Sequence, residues 1–383
     1  MPSPIIPQIP HYEPAPVTSQ PLDYADLAIV DLSQGNTVEG RAQLALQVRD
    51  AMSTNGFFYI VGHGYSTDQV SIIQSIFSSS SLMIIQMKRM FDIADVPFSQ
   101  VSDEEKQKYV APTKQTGSYQ GYKLRQYWHI DGGVRDQVEN YNINHDVNRR
   151  SHPEAVRPLL PEISQFARHS HMNVLNPILR LMALGLELPE DTLVNMHGYD
   201  TQSETYVRFM KYYPRSAEDE EKTKSVWLKG HTDFGTISIL YSQPVAALQI
   251  LARDSTWKWI KHIENAIVVN AGDAMEFLSG GFYRATIHRV VQPPPDQQRH
   301  TRLGIFYFCM TDDDVKLAPL VASPLLQRMG FKRRFEKDED APLMVDWRKA
   351  RTSAYGQTTL SKSDREDRVE EEVINGILVR HYN

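Results

Sequence analysis

The stretch KGHTDFGTISIL, residues 229 to 240, sets a histidine and an aspartate two positions apart in front of an apolar run rich in β-branched residues. Alternate residues of a β-strand point to the same side of the sheet, so His231 and Asp233 are expected to face one interior. Burying both side chains costs free energy unless each has a partner. The stretch therefore predicts either an internal ion pair or a metal site.

A third potential ligand separates these two interpretations. The segment ATIHRVV supplies His288 just before another strand-like run. Two histidines and one carboxylate on one octahedral face bind Fe(II) in mononuclear non-haem oxygenases and leave three positions open. A second triplet, His129-x-Asp131 in WHID, is followed by the turn sequence DGGV and by no comparably placed histidine. We therefore predict an iron site with the ligands His231, Asp233 and His288.

The pattern of the whole chain indicates a mostly β protein with flanking helices. Short strands separated by turn residues are predicted between about residues 205 and 310, which is typical of a barrel or sandwich. Apolar residues at helical spacing predict helices over 40–56 and within 157–197. The proline-rich start, 1–24, is predicted to be an extended surface arm, and the final VEEEVINGILV an amphipathic docking helix.

Composition excludes several classes of protein. The formal net charge of -6, with acids and bases interspersed, disfavours a nucleic-acid groove. The single cysteine, Cys309, excludes a disulfide framework within the chain and disfavours a thiolate metal cluster. The start has no basic region of a secretory signal, and no apolar run approaches the roughly 18 residues of a membrane span. We expect a cytoplasmic monomer with a small-molecule substrate and no membrane partner.

One arginine stands alone in the last predicted strand, HTRLGIFYF. A buried guanidinium without a partner is costly, and a two-pronged contact with a carboxylate resolves that cost. The carboxylate partner of Arg302 is either the distal carboxylate of 2-oxoglutarate or a protein side chain, for example Asp273 or Glu276. Its position in the sequence leaves both alternatives open.

Together these motifs resemble the signature of the 2-oxoglutarate/Fe(II)-dependent dioxygenases of the isopenicillin N synthase-like family. The H-x-D pair, the later H-R-V and the strand arginine stand in that family's order, and the resemblance spans roughly residues 27 to 325. Other segments also resemble the family: LAIVDLS, NGFFYIVGHG, SDEEKQKY, GYKLRQYW, ALQILARDSTWKWI and AIVVNAGDAMEFLSGGFYRATIHRV.

The resemblance implies a double-stranded β-helix, or jelly-roll, core wrapped by helices. It implies an N-terminal non-haem dioxygenase region over 25–155 and the jelly-roll core with preceding helices over 156–330. The extended arm over 1–24 and a C-terminal helical tail over 331–383 are predicted from composition and residue pattern. The resemblance also implies an oxidoreductase that uses Fe(II), 2-oxoglutarate and O2.

The resemblance further assigns roles to residues. Arg302 would hold the distal carboxylate of 2-oxoglutarate, and Tyr213 in MKYYP would hydrogen-bond the co-substrate carboxylate as the tyrosine of the family's Asn-x-Tyr-Pro does. The enzyme would oxidise an unactivated C–H bond by hydroxylation, desaturation or ring formation, in specialised metabolism. An aspartate at 233, where a halogenase needs a vacant position, argues against halogenation.

The sequence departs from the family at two positions of this site. Arg302-Leu303-Gly304 lacks the serine of the frequent R-x-S motif, and Lys211 stands where asparagine is common. Three alternatives stay open: an oxidase of the same fold that does not use 2-oxoglutarate, an ethylene-forming type of enzyme, and a non-catalytic binding protein on the same barrel.

Substrate contacts are expected from the N-terminal region and the rim of the pocket. Arg125 and Lys211 are candidates for binding an acidic group, and every aromatic candidate has the alternative role of a core residue. The candidates for substrate contact are Tyr119, Tyr122, Arg125, Trp128, Lys211, Phe234, Phe282 and Phe308.

Residues 70–86, VSIIQSIFSSSSLMIIQ, interrupt the resemblance, because the family runs from the glycine-histidine-glycine turn directly into a helix like MKRMFDIADVPF. Val-Ser can be encoded by GTAAGT and the final glutamine by CAG, which are consensus intron ends. Two interpretations stay open: a translated intron, or a genuine helix extension with a serine-rich loop.

If residues 70–86 are a translated intron, most sequenced transcripts of the gene will lack the segment. The protein without 70–86 should then express at least as well as the full chain, because the deletion restores the family's spacing. Transcripts that retain the segment, together with a deletion variant that fails to fold, would support the helix extension instead.

Overall fold

The computed structural model describes residues 7–64, 87–354, 361–362, 369–374 and 377–382, with side chains up to residue 352. The segment 70–86, for which a translated intron was considered above, lies outside the described residues. In the described parts of the chain, no helix is long and apolar enough to cross a membrane.

The strands are numbered in chain order. They are β1 Ile29–Asp31, β2 Phe57–Val61, β3 Gly121–Lys123, β4 Val138–Asn144, β5 Tyr206–Tyr212, β6 Val226–His231, β7 Ile237–Tyr241, β8 Leu248–Leu251, β9 Trp257–Trp259, β10 Ile267–Ala271, β11 His288–Val291, β12 Arg302–Cys309, β13 Ser361–Lys362, β14 Val369–Ile374 and β15 Ile377–Tyr382.

Helices flank these strands. The α-helices are α1 Val38–Thr54, α2 Met87–Ser99, α3 Asp103–Lys108, α4 Thr113–Thr116, α5 Leu160–His169, α6 Asn176–Gly185, α7 Ala217–Lys222, α8 Asp273–Leu278, α9 Pro324–Met329 and α10 Met344–Ala354. A π-helix, Ser170–Leu175, joins α5 to α6, and short 3-10 helices lie at Leu32–Asn36, Arg157–Leu159, Val194–Met196 and Asp338–Asp340.

The described strands form two sheets that together make a jelly roll. One sheet has the order β1-β2-β10-β7-β12-β5-β4-β3, and the other has the order β13-β14-β15-β6-β11-β8-β9. From β5 to β12 the chain crosses repeatedly between the two sheets, which is the winding of a double-stranded β-helix. The predicted fold class, mostly β with flanking helices around a jelly-roll core, is confirmed.

The alternation of side chains along β12 separates two cores. Leu303, Ile305 and Tyr307 pack into a large core with the helices that cover the outer face of the first sheet. Phe306 packs into a second core inside the barrel, and Arg302 shares its phase along the strand. The interior core also contains Met210, Tyr212, Trp227, Leu240, Leu248, Val268 and Val290.

The N-terminal region widens the sheet that carries β5 and β12. Strands β1 and β2 extend it beyond β10, where Ile267 pairs with Ile60. Strands β3 and β4 extend it beyond β5, where Val138 pairs with Tyr212. The first half of the chain therefore contributes part of the surface that faces the barrel interior.

The predicted C-terminal helix is wrong for the final stretch. Its described residues are strands: β14 pairs antiparallel with β15, and Tyr382 of β15 pairs with Gly230 of β6. The sequence carries the Asn-Gly pair that two-residue hairpin turns favour, together with the β-branched residues that favour strands. The edge of β6 supplies the hydrogen-bonding partner that makes the strand conformation favourable here. In the described part of the tail, α10 and the short 3-10 helix Asp338–Asp340 are helical as predicted.

Candidate active site

The two candidate histidines lie side by side on neighbouring strands. His231 ends β6, His288 begins β11, and the two residues are direct partners in the antiparallel register. Their ring centroids are 4.5 Å apart. Asp233 follows two residues after His231, in the turn that leads into β7. The local spacing of one motif and the register of two strands thus bring all three side chains together.

The three side chains converge on one point. The Nε2 atoms of His231 and His288 lie 3.9 Å and 3.8 Å from Oδ1 of Asp233. One nitrogen or oxygen atom from each residue lies within 4.8 Å of the other two. Two imidazoles and one carboxylate are a ligand set that suits Fe(II), so these residues could hold one iron ion.

Backbone contacts orient both imidazoles. Nδ1 of His231 donates to the carbonyl oxygen of Lys229 at 2.8 Å, and Nδ1 of His288 donates to the carbonyl oxygen of Thr286 at 3.1 Å. A carbonyl can only accept, so both Nδ1 atoms carry the proton. Each Nε2 atom is then left with its lone pair directed at the shared point, as a metal ligand requires.

The carboxylate is oriented in the same way by side chains of the opposite sheet. Oδ2 of Asp233 accepts from Oγ of Ser238 at 2.6 Å and from Nδ2 of Asn270 at 2.9 Å, which leaves Oδ1 for a metal. Burial favours a higher pKa for Asp233, but the two histidines and these hydrogen bonds outweigh it and hold the pKa below its usual value. The group is therefore ready to bind a cation as a carboxylate.

The sequence analysis missed Ser238 and Asn270. Both are register partners, on β7 and β10, and both lie at interior positions. A signal for them was available, because each is a polar residue inside an otherwise apolar strand, TISILY and AIVVNAG. A buried polar residue in such a strand needs a hydrogen-bonding partner, and here the partner is the candidate ligand.

The C-terminal helix α10 packs on the turn that carries Asp233. Nε1 of Trp347 donates to the carbonyl oxygen of Phe234 at 3.0 Å, and Arg351 donates to the carbonyl oxygen of Thr232 at 3.4 Å. From the other side, the amide of Asp273 donates to the carbonyl oxygen of Asp233 at 2.7 Å. The turn that carries Asp233 is therefore held on both sides.

The second H-x-D triplet does not assemble a comparable group. His129 is exposed, and Asp131 lies 3.7 Å from the ammonium group of Lys224. Within the described residues, the cluster that could hold a metal ion consists of His231, Asp233 and His288, and it includes neither His129 nor Asp131.

Arg302 lies inside the barrel without a carboxylate. It is 3 % exposed, and its Nε and Nη1 atoms have no hydrogen-bond partner among the described residues. Burial lowers the pKa of its guanidinium. Neither of the two carboxylates considered above is its partner, because Asp273 lies 3.6 Å from Arg351 and Glu276 lies 2.5 Å from Arg334. A small cavity of about 30 Å³ borders the guanidinium.

The structure contradicts the role predicted for Tyr213. Its hydroxyl donates to Oε2 of Glu139 at 3.2 Å, and Arg125 lies 4.7 Å from its ring centroid. The interior residue of this pair is Tyr212, whose ring centroid is 5.5 Å from the guanidinium of Arg302. The phase of β5 is the physical reason, since neighbouring residues of a strand face opposite sides.

The missing serine at position 304 has a structural counterpart. A Cβ atom placed on Gly304 would lie 2.8 Å from Cε2 of Phe306, closer than real Cβ contacts. The ring of Phe306 therefore occupies the space that a side chain at 304 would need. An apolar wall replaces a hydroxyl at this point of the interior.

Three of the predicted substrate residues meet near the candidate iron site. The rings of Tyr119 and Phe234 lie 5.9 Å apart, and Phe234 directly follows Asp233. The guanidinium of Arg208 joins them to Phe308, lying 5.6 Å from the Tyr119 centroid and 4.8 Å from the Phe308 centroid. Arg208 was missed by the sequence analysis, and it forms the centre of this group.

The other five predicted substrate residues lie elsewhere. Tyr122 is fully buried and donates to the carbonyl oxygen of Pro97 at 2.9 Å. Lys211 forms an ion pair with Asp95 at 2.6 Å on the helix side of β5. The remaining three also lie outside the group around Arg208. Trp128 is buried under Lys123, and Arg125 is exposed. Phe282 packs beside Tyr283 at the edge of the helix-side core.

Two sequence-family models match the chain. The 2OG-Fe(II) oxygenase superfamily matches residues 204–311, and the N-terminal region described for non-haem dioxygenases in morphine synthesis matches residues 27–162. The chain belongs to the 2-oxoglutarate/Fe(II)-dependent dioxygenases. As a member of the isopenicillin N synthase-like group it is an oxidoreductase with Fe(II) as cofactor and 2-oxoglutarate and O2 as co-substrates.

Individual relatives share modest identity over most of the dioxygenase chain. The UPF0676 protein C1494.01 of Schizosaccharomyces pombe is 25% identical, over 88% of this chain and 95% of its own length. The 2-oxoglutarate-Fe(II) type oxidoreductase hxnY of Emericella nidulans is 27% identical, over 69% and 74%. The solved structure of a dioxygenase for auxin oxidation in rice has a TM-score of 0.60 at 19% identity, over 86% of this chain and 96% of that one. The likeness to this rice structure shows a shared fold.

The first prediction from this geometry concerns the proposed ligands. His231→Ala and His288→Ala should each abolish iron retention and turnover, because two remaining ligands do not complete the facial set. His129→Ala is the matched control and should retain iron. Metal analysis after gel filtration, with circular dichroism as a check of the fold, measures both. Loss of iron in His129→Ala, with retention in His231→Ala, would show that the His129-x-Asp131 triplet binds the metal and that the prediction is wrong.

The second prediction concerns the packing of α10 on the ligand turn. Trp347→Phe removes the hydrogen bond to Phe234 and should weaken Fe(II) binding by about 10–100-fold, the usual effect of losing a contact behind a metal ligand. Trp227→Phe is the control, because it also removes a buried indole hydrogen bond, to Glu220 at 2.7 Å, near the opposite end of β6 from His231. Anaerobic Fe(II) titrations of both variants make the comparison. Equal losses in both would point to general destabilisation.

Proposed function

We propose that this dioxygenase oxidises an unactivated C–H bond of a small organic substrate by hydroxylation, desaturation or ring formation. One observation carries the proposal: three oriented candidate ligand atoms converge at one part of the barrel interior, while a guanidinium with no carboxylate partner among the described residues is buried in the same interior. Iron would be held by His231, Asp233 and His288. A facial set of three protein ligands leaves positions for a keto acid and for dioxygen.

Fe(II) held by His231, Asp233 and His288 would supply, with 2-oxoglutarate and O2, the oxidising chemistry, which yields succinate, CO2 and the oxidised substrate. For a hydroxylation, one oxygen atom enters succinate and the other becomes the substrate hydroxyl, so the equation balances without another reductant. The chain's own residues bind, orient and exclude water. Ser238 and Asn270 keep Oδ1 of Asp233 directed at the metal, and Phe306 makes the wall beside the co-substrate apolar.

We assign the distal carboxylate of 2-oxoglutarate to Arg302, with the ring of Tyr212 against the guanidinium. The assignment is supported by the missing protein partner of Arg302 and by its position on the interior face of β12. A two-pronged pair between guanidinium and carboxylate satisfies both groups in a dry pocket. Gly304 offers no hydroxyl, so the charge pair carries more of the recognition than in a site with the R-x-S motif.

The chemical diversity of the relatives supports a small-molecule substrate. The family relatives include a protein named validamycin A dioxygenase, from Streptomyces hygroscopicus subsp. limoneus, which is 26% identical over 77% of this chain and 79% of its own length. We propose a role in specialised metabolite biosynthesis, carried out by a monomer in the cytoplasm that needs neither nucleic acid nor membrane.

An anaerobic titration tests the reaction class. Fe(II) followed by 2-oxoglutarate should produce the weak visible charge-transfer band of an iron–keto acid chelate. Admission of O2 should then yield succinate and CO2. A protein that binds iron but gives neither the band nor succinate would be an oxidase without 2-oxoglutarate or a binding protein. Ethylene in the headspace would indicate that 2-oxoglutarate itself is the substrate.

The role of Arg302 yields a quantitative prediction. Arg302→Leu should raise the 2-oxoglutarate requirement by roughly two or more decades, since each hydrogen bond to a charged group contributes about 1.5–3 kcal/mol and a decade corresponds to about 1.4 kcal/mol. Arg302→Lys should recover only part, because the ammonium group lacks the planar fork. Iron affinity should change little in both variants.

Arg289→Leu is the matched control for this prediction. Arg289 is half-buried on β11 next to His288, and its guanidinium lies 4.1 Å from the ring centroid of Trp257. It has the opposite phase to His288 on the strand, so it faces away from the interior. Its replacement should leave the 2-oxoglutarate requirement unchanged. An unchanged requirement in Arg302→Leu, with loss of stability, would make Arg302 a structural residue.

A further inference from the structure

A second guanidinium faces the barrel interior, at the centre of the group that contains Tyr119, Phe234 and Phe308. Arg208 is half-buried on β5, and its direct register partners are Phe306 on β12 and Asn142 on β4. Along β12, Phe306 lies two residues from Phe308, which pairs with Ser238 beside the candidate ligand Asp233. Arg302 is four residues further along the strand in the other direction. Arg208 is therefore nearer to the level of the proposed iron site than Arg302.

The hydrogen bonds of Arg208 go to neutral groups. Its Nε donates to Oδ1 of Asn142 at 2.7 Å, and its Nη2 donates to the hydroxyl of Tyr206 at 3.3 Å. A guanidinium has five N–H donors, so three remain. Among the side chains that the structure describes, Arg208 is in none of the ion pairs with a carboxylate. Its positive charge is thus uncompensated by these neighbours.

The orientation of Asn142 makes this arrangement a fixed one. The Nδ2 group of Asn142 donates to the carbonyl oxygen of Tyr119 at 2.7 Å and to Oδ1 of Asn140 at 3.1 Å. The amide oxygen of Asn142 must therefore point at Arg208. Asn142 acts as a positioning residue that holds the guanidinium without neutralising it.

Two nearby lysines, unlike Arg208, form ion pairs with protein carboxylates. Lys123 forms a buried ion pair with Asp136, and Lys211 forms one with Asp95 at 2.6 Å. Burial lowers the pKa of Lys123 to about 8 against the opposing effect of Asp136, and the charge of Arg208 adds to that lowering. The lysines are matched by protein carboxylates, whereas Arg208 keeps one positive charge available for a ligand.

Aromatic faces surround the guanidinium. Its central carbon lies 4.8 Å from the Phe308 centroid, 5.3 Å from the Tyr206 centroid and 5.6 Å from the Tyr119 centroid. Phe234 continues this surface from Tyr119 to the turn that carries Asp233. Such a surface favours an apolar or planar molecular body next to a negatively charged group.

We propose that Arg208 binds a carboxylate of the organic substrate, whose apolar body packs on Tyr119, Phe234 and Phe308 in front of the iron site. This inference rests on the proposed function and narrows its substrate class to small organic acids. A single uncompensated charge matches a carboxylate, since a doubly charged phosphate calls for more than one cation in an apolar surrounding. The two interior arginines then divide their work: Arg302 holds the co-substrate and Arg208 holds the substrate.

Matched pairs of acid and neutral amide test the proposal on the whole chain. The anaerobic complex with Fe(II) and 2-oxoglutarate is titrated with phenylacetate, 4-phenylbutyrate and trans-cinnamate, and with the corresponding amides, while the shift of the visible charge-transfer band is followed. At least one acid should bind tenfold or more tightly than its amide. A panel in which no acid is preferred over its amide overturns the proposal.

Two substitutions assign the preference to Arg208. Arg208→Met should abolish the preference for the acid, and Arg208→Lys should keep part of it. Asn142→Asp supplies a carboxylate to Arg208 in nearly the same shape and should also abolish the preference, although the guanidinium is still present. Arg289→Met, outside the barrel interior, should preserve it. A preference that survives both Arg208→Met and Asn142→Asp contradicts the assignment.

The 2-oxoglutarate titration of the same variants separates this inference from the proposed function. Arg208→Met should still form the charge-transfer band at an unchanged 2-oxoglutarate concentration, which also shows that the variant is folded. If the band requires far more 2-oxoglutarate in Arg208→Met and not in Arg302→Leu, Arg208 is the co-substrate residue and the proposal fails. A wild-type protein without the band would instead refute the proposed reaction.

Discussion

The hydrogen bonds on Oδ2 of Asp233 are the interaction on which the rest of the site depends. Asp233 follows the strand that carries His231, whereas Ser238 and Asn270 belong to the opposite sheet. These two contacts therefore connect the candidate ligands to both layers of the jelly roll. They leave one oxygen, Oδ1, for the metal, and they help to keep the pKa of the carboxyl low.

The barrel interior also contains positive charge that the described carboxylates do not neutralise. A barrel interior lined by Met210, Leu240 and Val268 is a poor surrounding for a cation, yet Arg302 lies in it without a protein carboxylate. An uncompensated buried charge is costly, and a ligand of opposite charge removes that cost. The same reasoning applies to Arg208 near the iron site, where the cost is smaller because the residue is only half-buried. Recognition of two acids by two arginines is the simplest arrangement that satisfies both.

The C-terminal region is part of the site's support. Helix α10 contacts the ligand turn through Trp347 and Arg351, and the final hairpin adds to the edge of β6 at Gly230, the residue before His231. The ligand strand is thus flanked by segments that are distant from it in the chain. Changes in the tail are expected to reach the metal through the position of this turn and strand.

The sequence by itself predicted the candidate metal triad, the jelly-roll fold and the family. These features have local signals: an H-x-D pair two residues apart faces one side, and β-branched runs between turn residues favour strands. Tertiary structure decided everything that depends on the phase of a strand or on its neighbours. Both faces of β5 are largely buried, so its residues show no alternation that separates Tyr212 from Tyr213 or reveals Arg208 as interior. The final hairpin needed the free edge of β6, and the role of Ser238 and Asn270 needed the opposite sheet, because a hydrogen bond between distant segments has no local signature in the chain.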